Sequence, residues 1–185
     1  GLCDKKGKIV IHPVYETIRY NDSKAFFIVT QLGLYGSVAI NGNILTAAQY
    51  NQISTMDCGL ILTRKNDIYG LLNKEGKEVI QPYYESICEH GNKKFLICES
   101  NGQFGTISLY GKLLIKPCFD SINNEVCKVK KSIVAVVKKK KSGFILEDGS
   151  GLWMDPVYDV VNAYSKQGNP YFTVQEKGLW GILDA

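Results

Sequence analysis

Residues 69–85 read Tyr69-Gly70-Leu71-Leu72-Asn73-Lys74-Glu75-Gly76-Lys77-Glu78-Val79-Ile80-Gln81-Pro82-Tyr83-Tyr84-Glu85. An aromatic-Gly pair opens the stretch, and a second glycine follows six positions later. An apolar run then leads to Pro82, and an aromatic and an acid close the stretch. The aromatic-Gly pair returns as Tyr35-Gly36, Phe104-Gly105 and Trp180-Gly181, with Ser142-Gly143 as a degenerate copy. The five marker glycines lie 34, 35, 38 and 38 residues apart, and Gly1 stands 35 before Gly36. A period of this size marks a repeat architecture, in which each supersecondary unit buries its apolar face only by stacking on a neighbour.

The rest of the unit recurs in phase. The second glycines are Gly7, Gly42, Gly76, Gly111 and Gly149, in settings such as Asn41-Gly42 and Asp148-Gly149. These predict hairpin turns, because glycine reaches positive φ without a Cβ clash. Apolar runs follow, ending at Pro13, Pro82, Pro117 and, after one inserted residue, Pro156; Ala48 takes that place in the second unit. Proline has no N–H to give a ladder, so it is expected to close a strand or lie at a sheet edge. Then come an aromatic (Tyr15, Tyr50, Tyr84, Phe119, Tyr158), a polar or acidic residue (Glu16, Asn51, Glu85, Asp120, Asp159) and an aliphatic (Ile18, Ile53, Ile87, Ile122, Val161). A further β-prone run, such as Phe26-Phe27-Ile28-Val29, completes the unit.

No long window carries an uninterrupted helical period. The expected fold is therefore all-β, a tandem array of about five units with roughly three short antiparallel strands each. The units span 1–33, 34–67, 68–103, 104–142 and 143–179, with a sixth opening at 180–185 in one repeat domain. An opening in mid-repeat is expected of a segment from a longer protein. Gly1 and Trp180-Gly181 fall at the same phase, so they would compete for one strand in a closed five-bladed propeller. An open superhelical stack is favoured.

The pattern resembles the WG repeats of bacterial proteins, whose consensus runs Trp-Gly, an aliphatic strand, an acidic-or-Lys-Gly turn, Ile/Val, Pro, Tyr-Asp and an aliphatic. Residues 69–85 and Trp180-Gly181-Ile182-Leu183-Asp184 carry the likeness most closely. The chain departs from it where Tyr, Phe or Ser142 replaces the tryptophan. The resemblance implies a repeat scaffold attached to varied partner domains, with no catalytic residues.

Composition and motifs narrow the function classes. No apolar run approaches the roughly 20 residues a membrane helix needs. Six cysteines fall out of phase and form no C-x-x-C, and there are two histidines, His12 and His90, so a metal site is not expected. Out-of-phase cysteines fit small buried hydrophobes in a reducing compartment, the cytoplasm. The glycine pairs Gly1/Gly7 and Gly70/Gly76 stand one residue too far apart for a phosphate loop and lack its Ser/Thr. Neither histidine, read as a surface residue, is set beside a nucleophile. The chain is accordingly expected to be no enzyme and to need no cofactor.

One segment breaks the even charge. Residues 104–142 hold nine lysines against Asp120 and Glu125, a balance of +7 that leaves the rest at −3 on a total of +4. Lys128, Lys130 and Lys131 precede the apolar run Ile133 to Val137, and Lys138, Lys139, Lys140 and Lys141 follow it. Such a patch would draw an acidic surface, nucleic acid or an anionic membrane, although it contains no arginine or interleaved aromatic for reading bases. The alternative is a solvated hairpin whose lysines deter edge pairing. The expected function is a noncatalytic scaffold that binds another protein. Its candidate contacts outside the period are Arg19, Tyr20, Arg64, Tyr83, Tyr110 and Tyr164, residue types enriched at interface anchors. Glycan binding by the repeat aromatics is a third possibility.

Overall fold

The computed structural model describes residues 1–21, 25–127, 132–166 and 169–184, and every regular element among them is a β-strand. The chain divides into two compact units, Gly1–Glu85 and Ser86–Ala185. In the first, β1 (Leu2–Cys3) pairs with β2 (Ile9–Ile11). A second sheet follows with β3 (Thr17–Tyr20), β4 (Phe26–Gln31), β5 (Leu34–Ala39) and β6 (Ile44–Tyr50) in that order. The third holds β7 (Gln52–Thr55), β8 (Ile61–Lys65), β9 (Ile68–Leu72) and β10 (Glu78–Tyr84).

The second unit repeats the plan. Its first sheet is β11 (Ser86–Glu89), β12 (Phe95–Ser100), β13 (Gln103–Ser108) and β14 (Leu113–Phe119). Next come β15 (Ser121–Val126), β16 (Ile133–Lys138), β17 (Lys141–Leu146) and β18 (Leu152–Tyr158). The last sheet has three strands, β19 (Val160–Lys166), β20 (Asn169–Glu176) and β21 (Leu179–Asp184). Pairing is antiparallel between chain neighbours throughout. Among the described residues β1 pairs only with β2, and β21 only with β20.

A complete sheet has four strands, where the sequence pattern suggests three. The missing one is the aliphatic after the acid: Ile18, Ile53, Ile87, Ile122 and Val161 each lie on a strand of their own. The chain leaves one sheet at the repeat aromatic and starts the next within one or two residues, so no turn composition marks the break. The prolines fall as expected. Pro13 follows β2, and Pro82, Pro117 and Pro156 lie within edge strands beside shifts of register.

Those edge strands explain the marker glycines. A Cβ on Gly70 would stand 2.6 Å from Pro82 N, one on Gly105 2.6 Å from Pro117 N, and one on Gly143 2.6 Å from Pro156 N. On Gly36 it would meet Thr46 O at 2.8 Å. None of these glycines needs positive φ; the bulged backbone crosses too near for any side chain. The second glycines do need it, with φ of 80, 90, 82, 80 and 73° at Gly7, Gly42, Gly76, Gly111 and Gly149. There the i→i+3 bond, Gly76 N to Asn73 O at 2.9 Å for instance, closes a turn that leads into a glycine bulge.

The second strand of each sheet is inner and buried on both faces, which is why its apolar residues run on without alternation. Phe26 and Ile28 pack with Tyr50, Ile61 and Leu72, while Phe27 and Val29 pack the other way with Ile11 and Val38. In the second unit Phe95 and Ile97 pack with Val134, Val136 and Ile145, and Phe144 with Phe172. A second glycine caps two of these layers. A Cβ on Gly76 would strike the Phe26 ring at 2.8 Å and one on Gly149 the Phe95 ring at 2.7 Å. The carbonyls of the same glycines accept buried hydroxyl bonds, Ser37 Oγ to Gly76 O and Thr106 Oγ1 to Gly149 O, both at 2.7 Å. Replacing Gly105 by Ala is expected to cost roughly 2–3 kcal/mol through forced separation of β13 from β14. Urea denaturation measures it, and a midpoint equal to the parent's would refute the close-crossing account.

Candidate functional site

The lysine hairpin is first of all a repeat turn. Lys139 and Lys140 have φ of 50 and 63°, both left-handed, so they form a two-residue type I′ connection between β16 and β17. Leu32-Gly33, Asn66-Asp67, Asn101-Gly102 and Lys177-Gly178 occupy the equivalent places, also with positive φ. The polar residue after the repeat aromatic holds such a turn. Backbone N–H groups donate from Gly33 to Glu16 Oε2 at 3.2 Å, from Asn66 to Asn51 Oδ1 at 3.0 Å, from Lys140 to Asp120 Oδ2 at 3.1 Å and from Lys177 to Asp159 Oδ2 at 2.8 Å. Lys141 Nζ bonds the other oxygen of Asp159. That bond, with the Lys177 amide second, holds the Asp159 carboxyl below the usual carboxylate range.

Of the predicted cluster, Lys139 and Lys140 are exposed, Lys138 and Lys141 are half-buried, and Lys128, Lys130 and Lys131 lie outside the described residues. Lys138 helps line an open depression of about 400 Å³ together with Lys116, Asp155, Leu114, Cys118 and Pro156. One of its lysines is thus neutralised by an ion pair, and two form the tip of a strained turn.

The other predicted contacts are spread along the chain. Arg19 and Tyr20 lie on β3, where the Tyr20 ring rests 4.4 Å from that of Phe27. Arg64 on β8 pairs with Asp67, and its guanidinium lies 6.0 Å over the Tyr69 ring. Tyr83 projects from β10, Tyr110 from the β13–β14 turn, and Tyr164 on β19 stacks on Tyr171 at 5.4 Å. These residues stand on four different sheets.

Two readings of single residues need correction. His90 is not a surface residue but fully buried, stacked 4.3 Å from Phe95. Its Nε2 donates to Asn123 O at 2.7 Å and its Nδ1 accepts from Asn92 N–H at 3.2 Å, so both ring nitrogens serve the fold. Of the six cysteines only Cys98 is fully buried, and Cys3 and Cys88 are exposed. Cys88 is opposite Ile97, which places it on the other face from Cys98, so the two thiols do not face each other. Among the described residues no three His, Cys, Asp or Glu side chains gather as a metal set, and no helix is long and apolar enough to cross a membrane.

The feature that sequence reasoning passed over is the last sheet. Trp180 is 58% and Ile182 74% exposed on β21. With Asn162, Tyr164, Thr173 and Gly181 they line an open depression of about 460 Å³. For the turn strain, Lys140→Gly is expected to raise stability by about 1 kcal/mol, the left-handed penalty relieved. Thermal unfolding reads this as a higher midpoint, and a lower one would contradict it.

The model of the family described as WG containing repeat matches residues 1–35 and 69–89. No curated protein matches the chain. Solved structures with a related backbone include a eukaryotic initiation factor, at 13% identity over 81% of this chain and 46% of that one, with a TM-score of 0.39. The N-terminal domain of Nup159 is similar at 10% identity, 95% and 62% coverage and a TM-score of 0.35. Kluyveromyces lactis Hsv2p gives 14%, 94%, 62% and 0.31. The chain spans less than two thirds of each of these three structures, and likenesses this loose carry no argument about its role. The glycine crossings, the Gly turns and the Pro-bearing edge strands recur through the units, and over residues 1–35 and 69–89 the chain matches the WG containing repeat.

Proposed function

We propose that the chain is a noncatalytic module that binds another protein. The observation that carries this reading is that the periodic residues are taken up by the fold, which leaves exposed aromatics outside the period, such as Tyr20, Tyr83 and Tyr110, as contact surface. Tyrosine is among the residue types enriched at interface anchors. Marker glycines, turn glycines and inner-strand aromatics are each used up by packing, and the ring nitrogens of His90 by the backbone.

Polyanion binding through the lysines has less behind it, because Lys141 is paired with Asp159 and Lys138 is half-buried. Glycan binding at one equivalent aromatic per repeat is also weakly supported: Tyr35, Tyr69 and Phe104 are half-buried where Trp180 is exposed.

Affinity capture with the chain as bait tests the reading. A protein partner held by apolar contact is expected to stay bound through roughly 0.5 M salt, at which surface charge attraction is screened within a few ångströms. Retention of nucleic acid or heparin alone, lost both in that salt and on changing Lys138, Lys139, Lys140 and Lys141 to glutamate, would replace it with the polyanion reading.

A further inference from the structure

We propose that the groove between the β11–β14 sheet and the β15–β18 sheet seats an acidic segment of a partner protein. An aliphatic side chain of that segment lies against Leu114, Leu152 and Pro156, and a neighbouring carboxylate pairs with Lys138. This rests on the protein-binding reading and names the chemistry of the partner. Both sheets have all four strands, and the groove's lining falls within residues 114–156, away from both ends of the chain.

The matching junction in the first unit shows what is left out here. Where the β3–β6 sheet meets the β7–β10 sheet, two polar bonds cross. The Tyr50 hydroxyl donates to Glu78, and Lys65 Nζ donates to Gln49 Oε1 at 2.9 Å. In the second unit the register puts Phe119 and Leu152 in the places of Tyr50 and Glu78. Phe119 is opposite Phe104 as Tyr50 is opposite Tyr35, and Leu152 is opposite Ile145 as Glu78 is opposite Leu72. Cys118 precedes Phe119 as Gln49 precedes Tyr50. Lys138 closes the β16–β17 hairpin opposite Lys141, as Lys65 closes β8–β9 opposite Ile68. The residues that would make both crossing bonds are thus replaced, and the second junction holds an open depression of about 400 Å³.

Charge decides what the groove would take. Lys116 on β14 and Lys138 on β16 give each wall a cation, against the single carboxylate of Asp155 on β18. Among the described residues neither lysine makes an ion pair. Lys138 is half-buried, and a cation drawn partly out of water without an opposite charge is costly. A carboxylate from a partner would supply Lys138 with the acceptor that Gln49 supplies to Lys65. A half-buried pair of this kind is screened less by salt than one on open surface, and it selects among partners that the apolar lining alone would accept. A phosphate polymer fits less well, because Asp155 would repel it and the apolar lining would stay unused.

Random nonapeptides displayed on phage are panned against the whole chain, and the winning peptide is labelled and titrated by fluorescence anisotropy. Winners are expected to carry an acidic residue close to an aliphatic one. Changing that acid to its amide is expected to cost at least about tenfold in affinity for the parent chain. Against Lys138→Met the acid and the amide are expected to bind alike, because the cation that distinguishes them is gone. Cys118→Gln gives Lys138 the partner that Lys65 has. It is expected to keep at least the parent's thermal midpoint and to lose at least about tenfold in affinity for the peptide. No enrichment, winners without an acid, or equal binding by Cys118→Gln overturns the proposal. Retention of single-stranded DNA that Lys138→Met abolishes, with no peptide enriched, would also overturn it, by making a polyanion the occupant. If parent and Cys118→Gln capture the same protein partner equally, the binding-module reading stands and the groove falls.

Discussion

Each repeat depends on one approach of backbone to backbone. The fourth strand bulges at or beside its proline and passes over the marker glycine at a distance that excludes a single methyl group. That approach brings the repeat aromatic, Tyr50 or Phe119, to the inner layer where it is fully buried. It also fixes where the chain leaves the sheet, because the acid and the first strand of the next sheet follow at once. Loss of the crossing would displace the aromatic, the turn carboxylate and the next sheet together. The glycine, the proline and the aromatic are therefore three parts of one contact, although they lie far apart in sequence.

The stacking layer adds a second constraint of the same kind. A turn glycine presses on an inner-strand phenylalanine and offers its carbonyl to a buried hydroxyl, at Gly76 with Phe26 and Ser37 and at Gly149 with Phe95 and Thr106. Burying a hydroxyl without such a partner costs more than the bond itself contributes, so the pairing selects how successive sheets meet. Tyr50 illustrates the same balance. Its ring is buried, its hydroxyl donates to Glu78, and burial first and the carboxylate second push its ionisation above the ordinary phenol range.

Much of this was legible in residues 1–185. The all-β class, the turn glycines and the edge placement of the prolines follow from chemistry local to a few residues. The first strand of each sheet was not legible, because Ile18 or Ile87 follows the aromatic without a turn signal. The purpose of the marker glycine was equally hidden, since nothing local distinguishes a glycine kept for φ from one kept for a crossing strand. His90 read as a loop residue because its partners, Phe95 and the carbonyl of Asn123, are supplied by the fold. The candidate contacts on Arg19, Arg64 and Tyr110 rested on residue type alone, and type does not say which side chains share a face. Trp180 was visible as a repeat residue, and only coordinates show that its ring, unlike those of Tyr35 and Phe104, lies open.

The type I′ tips suggest how such arrays diversify. Glu16, Asn51, Asp120 and Asp159 hold tips of their own sheet, so the bonds that fix a tip do not involve the layers between sheets. A tip can then change composition, as the lysines at 139 and 140 show, or accept inserted residues, while the stacking surfaces stay as they are. Each unit so provides one position at which new sequence can be tried independently of its neighbours, a property useful to anyone grafting peptides onto this framework.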